Sequence, residues 1–164
     1  MPNQKQILYI AYGSNLNLRQ MKYRCPTAKP LGGAELQGYE LLFRGHDGGA
    51  VATVEPGDDS VPVLLWELKP RDEQALDVYE GWPSFYRKET VDVDVDGQTV
   101  PAMIYIMNDG PPLGRPSRGY FNTILEGYES AGFDTGVLDR ALERSQAQEL
   151  EQVDDMQMDF NWWR

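Results

Sequence analysis

Apolar and polar positions alternate along this chain with two different periods, and the change of period marks the elements. Ile7, Leu8, Tyr9, Ile10, Ala11 and Tyr12 run apolar and aromatic, then stop at Gly13-Ser14-Asn15, which predicts a buried strand over 7–12 ending in a loop. Asn15 or Asn17 is placed to cap a short helix reaching Arg24, and Pro26 stops it. Glu35–Phe43 reads as a strand, Gly45–Gly49 as a loop, and Val51–Glu55 and Val61–Leu68 as two strands joined by a turn at Pro56-Gly57-Asp58-Asp59. Pro70 fits the first turn of a helix running to Tyr79 or Glu80, with Gly81 as its C-terminal stop. Val91, Val93 and Val95 alternate with Asp92, Asp94 and Asp96, so this strand has one wet face and one buried face. Asp96-Gly97 is a hairpin signal, and Thr99–Met107 is the returning strand. After the Gly/Pro-rich loop 108–115, Ser117 caps a helix with Tyr120, Ile124 and Tyr128 on one face. Asp134 caps a last helix with Val137, Leu138, Ala141 and Leu142 inward.

Short turns between strands and helices in separate blocks predict an α+β fold with a mainly antiparallel sheet. Pattern alone does not distinguish an open sheet from a barrel. The length, 164 residues, suits one domain, and 41% hydrophobic residues are enough for a full core. We read 1–148 as that domain and 149–164 as an acidic, then aromatic, tail carrying Phe160, Trp162 and Trp163, which packs back on the domain, packs on a neighbour, or frays.

Charge and cysteine content narrow the classes. A formal net charge of −11 argues against nucleic acid or an anionic membrane as a partner, because both need basic patches. The single cysteine, Cys25, permits no intrachain disulfide and suits a reducing compartment. No apolar run reaches the length of a membrane span, and the polar start lacks a signal peptide's apolar core. The expected location is cytoplasmic. Neither a metal-ligand cluster nor a P-loop nor a dinucleotide fingerprint is present in the sequence. Isolated His46 among glycines reads as an exposed loop residue, and Cys25 before Pro26 as a small buried one. Oligomeric state is not legible.

Two regions remain as candidate chemistry. A strand that ends in Gly13-Ser14-Asn15 delivers backbone N–H donors to one place, suited to a carboxylate or a developing oxyanion. It is equally the pattern of a strand followed by an ordinary turn. Glu80 falls one helical turn beyond Leu76, on the core-facing side and at the helix C-terminus. Burial and the helix dipole would both raise its pKa, which makes a better base near neutrality, whereas a solvated carboxylate at a helix end is the commoner arrangement. Tyr120, in the first turn of its helix, offers a hydroxyl or is simply a core tyrosine. Tyr9, Tyr12 and Tyr105 read as pocket wall or barrel filling, and Trp82, Phe85 and Tyr86 as one side of a mouth or as loop anchors.

The ordered blocks Tyr12-Gly13-Ser14-Asn15-Leu16-Asn17, Arg24-Cys25-Pro26-Thr27-Ala28, Phe43-Arg44-Gly45, Ala52-Thr53-Val54-Glu55-Pro56-Gly57, Val63-Leu64-Leu65-Trp66-Glu67-Leu68, Leu76-Asp77-Val78-Tyr79-Glu80-Gly81 with Tyr86-Arg87, and Pro116-Ser117 with Tyr120 resemble the γ-glutamylcyclotransferase family, including its AIG2-like branch. Together they cover most of residues 7 to 132. The resemblance implies a small, mixed, mainly antiparallel, partly closed β-barrel with helices around it. It implies a cofactor-independent enzyme that releases 5-oxoproline from a γ-glutamyl amino acid, γ-glutamylamine or related γ-glutamyl compound by intramolecular aminolysis. Glu80 would be the general acid/base, and Tyr12, Gly13, Ser14, Asn15, Leu16 and Tyr120 would bind substrate, the loop amides holding either the α-carboxylate or the oxyanion. The alternatives are a non-catalytic small-molecule-binding module on the same fold, or another amide-cleaving acyltransferase or hydrolase.

Overall fold

The structure is a computed structural model and describes residues 7–145, so the aromatic tail over 149–164 lies outside the described residues. Five strands, β1 (Ile7–Ala11), β2 (Lys29–Arg44), β3 (Val51–Leu68), β4 (Tyr86–Val95) and β5 (Gln98–Met107), close into a barrel in the order β1-β3-β2-β4-β5. Neighbours are antiparallel except β1 and β5, which run parallel. Two seams are narrow: β1 meets β5 through Tyr9 opposite Met103, and β2 meets β4 through Glu35 opposite Asp94. The helices are α1 (Leu18–Arg24), α2 (Pro70–Glu80), α3 (Arg118–Ala131) and a last helix, α4, over 136–145. No helix among the described residues is long and apolar enough to cross a membrane.

The predicted turn at Pro56–Asp59 is not a turn. Tyr39 pairs with Pro56 and Gln37 with Ser60, so β3 carries Gly57, Asp58 and Asp59 where β2 carries only Gly38. Gly38 takes φ +79°, and the surplus is absorbed as a bulge inside one continuous strand. Such a bulge bends the hairpin, as a small barrel requires. Arg140 and Arg144 of α4 bond the Asp59 carboxylate across this bend. β2 also begins earlier than its apolar pattern suggests. Lys29–Gly33 is exposed and broken by Pro30, Gly32 and Gly33, yet Lys29, Pro30, Gly32 and Gly33 pair with residues 64–67 of β3.

The remaining elements follow their local chemistry. Asp96 and Gly97 have φ +50° and +82°, both in the left-handed region that a two-residue hairpin needs. The carboxylate of Asp72, in the first turn of α2, accepts from the Lys69 N–H at 2.8 Å and from the Thr27 hydroxyl at 2.6 Å, tying the start of α2 to the segment after α1. Gly81 ends α2 with φ +65°. Leu76 is fully buried, a contribution of about 1.5–3 kcal/mol, and fixes which face of α2 meets the barrel. Ser117 accepts from the Tyr120 N–H, and α3 lays Ile124, Gly127 and Tyr128 inward. Asp134 accepts from the Gly136 N–H, and Val137, Leu138 and Ala141 of α4 are buried.

Candidate functional site

β1 leaves the barrel at Ala11 and passes into a 3-10 turn, Ser14–Leu16, which Asn17 joins to α1. Leu16 N–H bonds the Gly13 carbonyl and Asn17 N–H bonds the Ser14 carbonyl, both at 3.0 Å. The N–H groups of Ser14 and Asn15 open this turn, where amides have no intrahelical partner. The Asn17 side chain accepts from Arg19 and Gln20 and donates to the Thr123 carbonyl of α3 at 3.0 Å, so α3 supports the turn from behind. Gly13 has φ −119°, so no left-handed backbone is needed there. What matters is closeness: a Cβ on Gly13 would sit 3.3 Å from Ala52 Cβ and 3.5 Å from the Tyr120 hydroxyl.

This turn forms one wall of a cavity of about 190 Å³. Tyr12, Gly13, Ser14, Asn15, Glu80 and Tyr120 all line it, although they come from β1, its following turn, α2 and α3. Leu16 does not. Its side chain is buried under α3, where a Cβ on Gly127 would come within 2.8 Å of it, and its amide is committed to Gly13. Phe85 and Tyr86 line the cavity and Trp82 does not; Trp82 instead lies under the Lys88 ammonium, 4.1 Å from its ring centre.

Glu80 ends α2, where the exposed carbonyls of the helix disfavour negative charge. Burial raises its pKa to about 7, opposed by the positive charge of Arg24. A carboxyl raised toward neutrality suits a group that must both take and return a proton. Asn15 Nδ2 lies 3.5 Å from Glu80 Oε1 and donates to the Tyr9 hydroxyl at 2.8 Å.

The other hydroxyls divide by commitment. Tyr12 donates to the Tyr105 carbonyl, Tyr86 to the Ala52 carbonyl and Tyr105 to Asp77, each at 2.6 Å. All three line the cavity. Tyr120 accepts from the Ala52 N–H at 2.9 Å, and among the described residues its own proton meets no acceptor. Burial raises the pKa of Tyr9, Tyr12, Tyr86, Tyr105 and Tyr120, so all stay neutral at physiological pH.

Residues 9–123 match the sequence profile of the family described as gamma-glutamyl cyclotransferase, AIG2-like. The chain belongs to this family. Gamma-glutamylcyclotransferase of Homo sapiens is 29% identical over 142 residues, spanning 80% of this chain and 74% of its own length. The Bos taurus protein of the same name is 30% identical over 139 residues, spanning 78% and 73%. A solved structure titled gamma-glutamyl cyclotransferase superposes with a TM-score of 0.75 at 26% identity, covering 84% of this chain and 86% of that one.

Within this γ-glutamyl cyclotransferase fold, sequence reasoning overlooked two cavity-side residues. The Tyr79 hydroxyl lies 3.0 Å from Ser14 Oγ and lines the cavity, and the Arg24 guanidinium bonds both Tyr79 and Asn15. No local pattern marks a pairing across 65 residues; the only signal was the position of Tyr79 beside Glu80. Cys25 is buried, its thiol facing the Asp72 carbonyl at 3.5 Å and pushed up to about 11 by burial, and His46 is exposed in a loop. Among the described residues no group of three His, Cys, Asp or Glu is placed to hold a metal.

Proposed function

We propose that this chain is a γ-glutamylcyclotransferase, releasing 5-oxoproline from a γ-glutamyl amino acid, γ-glutamylamine or related γ-glutamyl compound. The observation that carries the reading is the meeting of the Glu80 carboxyl, its pKa raised by burial, with the Gly13-Ser14-Asn15 turn in one small cavity. The substrate brings its own nucleophile. Its α-ammonium loses a proton, the freed amine attacks the γ-carbonyl carbon, and a five-membered ring closes. Glu80 relays the two protons that the ring nitrogen sheds, one as the ammonium is freed and one as the lactam N–H forms, to the leaving nitrogen as the original C–N bond breaks, so substrate becomes 5-oxoproline plus the amine in its ammonium form. Tethering nucleophile to electrophile supplies a large effective concentration, provided the substrate is held folded. A cavity of about 190 Å³ favours such a compact pose.

The Ser14 and Asn15 amides are placed to hold the α-carboxylate or the developing oxyanion. Tyr12 forms wall, Tyr120 supplies a hydroxyl proton beside Gly13, and Leu16 anchors the turn from the core. The reading requires no cofactor. Incubating the protein with a panel of γ-glutamyl compounds should yield free 5-oxoproline; free glutamate instead would mean a hydrolase, and binding without product a binding module. Glu80→Gln keeps the size of the side chain and cannot accept a proton. It should bind substrate yet lose roughly 10²–10⁴ in kcat. Wild-type turnover by folded Glu80→Gln would defeat the assignment.

A further inference from the structure

The guanidinium of Arg24 does not line the cavity, yet three groups that do line it receive its hydrogen bonds. Nη1 donates to Asn15 Oδ1 at 2.5 Å and lies 3.4 Å from Ser14 Oγ, and Nη2 donates to the Tyr79 hydroxyl at 2.8 Å. Gln20, one turn back on α1, accepts from Nη2 at 3.0 Å, and the guanidinium also lies over the Tyr79 ring, 3.7 Å from its centre. A guanidinium can only donate. Its contact with Asn15 therefore decides which end of that amide faces it: oxygen toward Arg24, NH2 toward Tyr9 and Glu80. By the same logic Tyr79 accepts from Arg24, and its hydroxyl shares a further hydrogen bond with Ser14 Oγ at 3.0 Å.

We propose that Arg24 is a positioning residue for the reaction: it locks the Asn15 amide with its donor edge toward Glu80 and sets the charge balance of that carboxyl from outside the cavity. The proposal rests on Glu80 as the acid/base group. Facing Glu80 are Tyr9 and Tyr12 from β1 and its end, Tyr79 from α2, Tyr86 from β4, Tyr105 from β5, Tyr120 from α3, and Arg24 from α1. Burial keeps Tyr9, Tyr12, Tyr86, Tyr105 and Tyr120 neutral, and Arg24 is the charge that opposes burial at Glu80. Without it, the amide is free to turn its oxygen toward a carboxylate, and the protonated form of Glu80 gains on both counts.

Two variants separate charge from geometry. Arg24→Gln removes the charge. Arg24→Lys keeps the charge but offers a single ammonium in place of a planar fork, which cannot span Asn15 and Tyr79 in the same way. The Glu80 carboxyl is titrated by ¹³C NMR in the full chain with labelled glutamate, and kcat and KM are measured on the best γ-glutamyl substrate, with melting temperature as the folding control. In Arg24→Gln the Glu80 midpoint should move up and the acid limb of kcat/KM should follow it. In Arg24→Lys the midpoint should rise less than in Arg24→Gln while kcat falls, about 10- to 100-fold for a misplaced group, with KM changed less. An unmoved midpoint in folded Arg24→Gln, or wild-type kcat in Arg24→Lys, overturns the proposal. Should Arg24→Gln fail to fold, the Arg24→Lys kcat decides alone. The carboxyl titration needs no turnover, so it reads the Arg24–Glu80 link even if Glu80→Gln remains active and the catalytic assignment itself fails.

Discussion

Glu80 is half-buried and faces a cavity, and each condition alone is ordinary for a carboxylate at a helix end. Their coincidence depends on neighbours with no space to spare. Gly13 lies against Ala52 and Tyr120, so a side chain there has to enter the cavity or displace a wall. Gly13→Val should therefore cost about 1–3 kcal/mol from overpacking and remove most turnover, read by melting temperature and kcat/KM. A fully active, fully stable Gly13→Val protein would show that the turn has slack. Tyr120→Phe keeps the ring and removes one hydroxyl, leaving the Ala52 N–H without its acceptor. It should lower kcat less than Glu80→Gln, because a neutral hydrogen bond is worth about 0.5–1.5 kcal/mol. A drop as deep as that of Glu80→Gln would mean the Tyr120 proton is transferred rather than merely shared. At this scale the sequence was legible where function and local structure coincide. Gly13, Ser14 and Asn15 stand out as a strand end, and Glu80 as a helix end. Arg24 and Tyr79 were not legible, because their roles exist only through side-chain bonds between α1, the 3-10 turn and α2. Leu16 was misplaced for the converse reason: it shares a motif with pocket residues but points to the other side of the turn.

At the scale of elements, α3 is a buttress as well as a carrier of Tyr120. Gly127 lets it approach the 3-10 turn so closely that a Cβ would stand 2.8 Å from Leu16 Cβ and 2.9 Å from its carbonyl carbon. The latter is backbone and cannot swing aside. Gly127→Ala raises helix propensity, which in isolation would stabilise α3 by up to about 1 kcal/mol. The contact should win, pushing α3 off the turn, lowering the melting temperature and raising KM as the Ser14 and Asn15 amides shift. A more stable Gly127→Ala with unchanged KM would mean the interface relaxes freely. Helix boundaries were readable from Asn17, Pro70, Gly81 and Ser117, each of which caps or stops by local chemistry. The β2–β3 hairpin was not. Pro56-Gly57-Asp58-Asp59 carries every turn residue, and only the cross-strand pairing with Gln37 and Tyr39, together with Arg140 and Arg144 on Asp59, makes it a bulge.

Over the whole molecule, barrel closure rests on contacts that no single segment encodes. Tyr9 opposite Met103 and Glu35 opposite Asp94 join strands distant in sequence, so alternation along each strand reads the same in an open sheet. Closing the barrel also gathers walls of the cavity where Glu80 loses part of its water, and this couples activity to stability with a definite sign. The Glu80 pKa is about 7 folded against an ordinary 4.5. A raised folded pKa contributes stability that is fully present below the ordinary value and is lost as pH rises through about 7, where folding must bury the charge. Glu80→Gln is never charged and escapes that loss. Its melting temperature should exceed that of the wild type at about pH 8, by about 2–4 °C for each kcal/mol recovered in a chain of this size, and the gap should close toward about pH 4. The chain's net charge of −11 makes both proteins respond to pH, but that shared response cancels in their difference. Parallel melting curves of the two proteins across this range are the measurement. A gap that is absent at alkaline pH, or that widens on acidification, would mean that Glu80 is well solvated in the folded protein. The base assignment would then lose the desolvation on which its tuning depends.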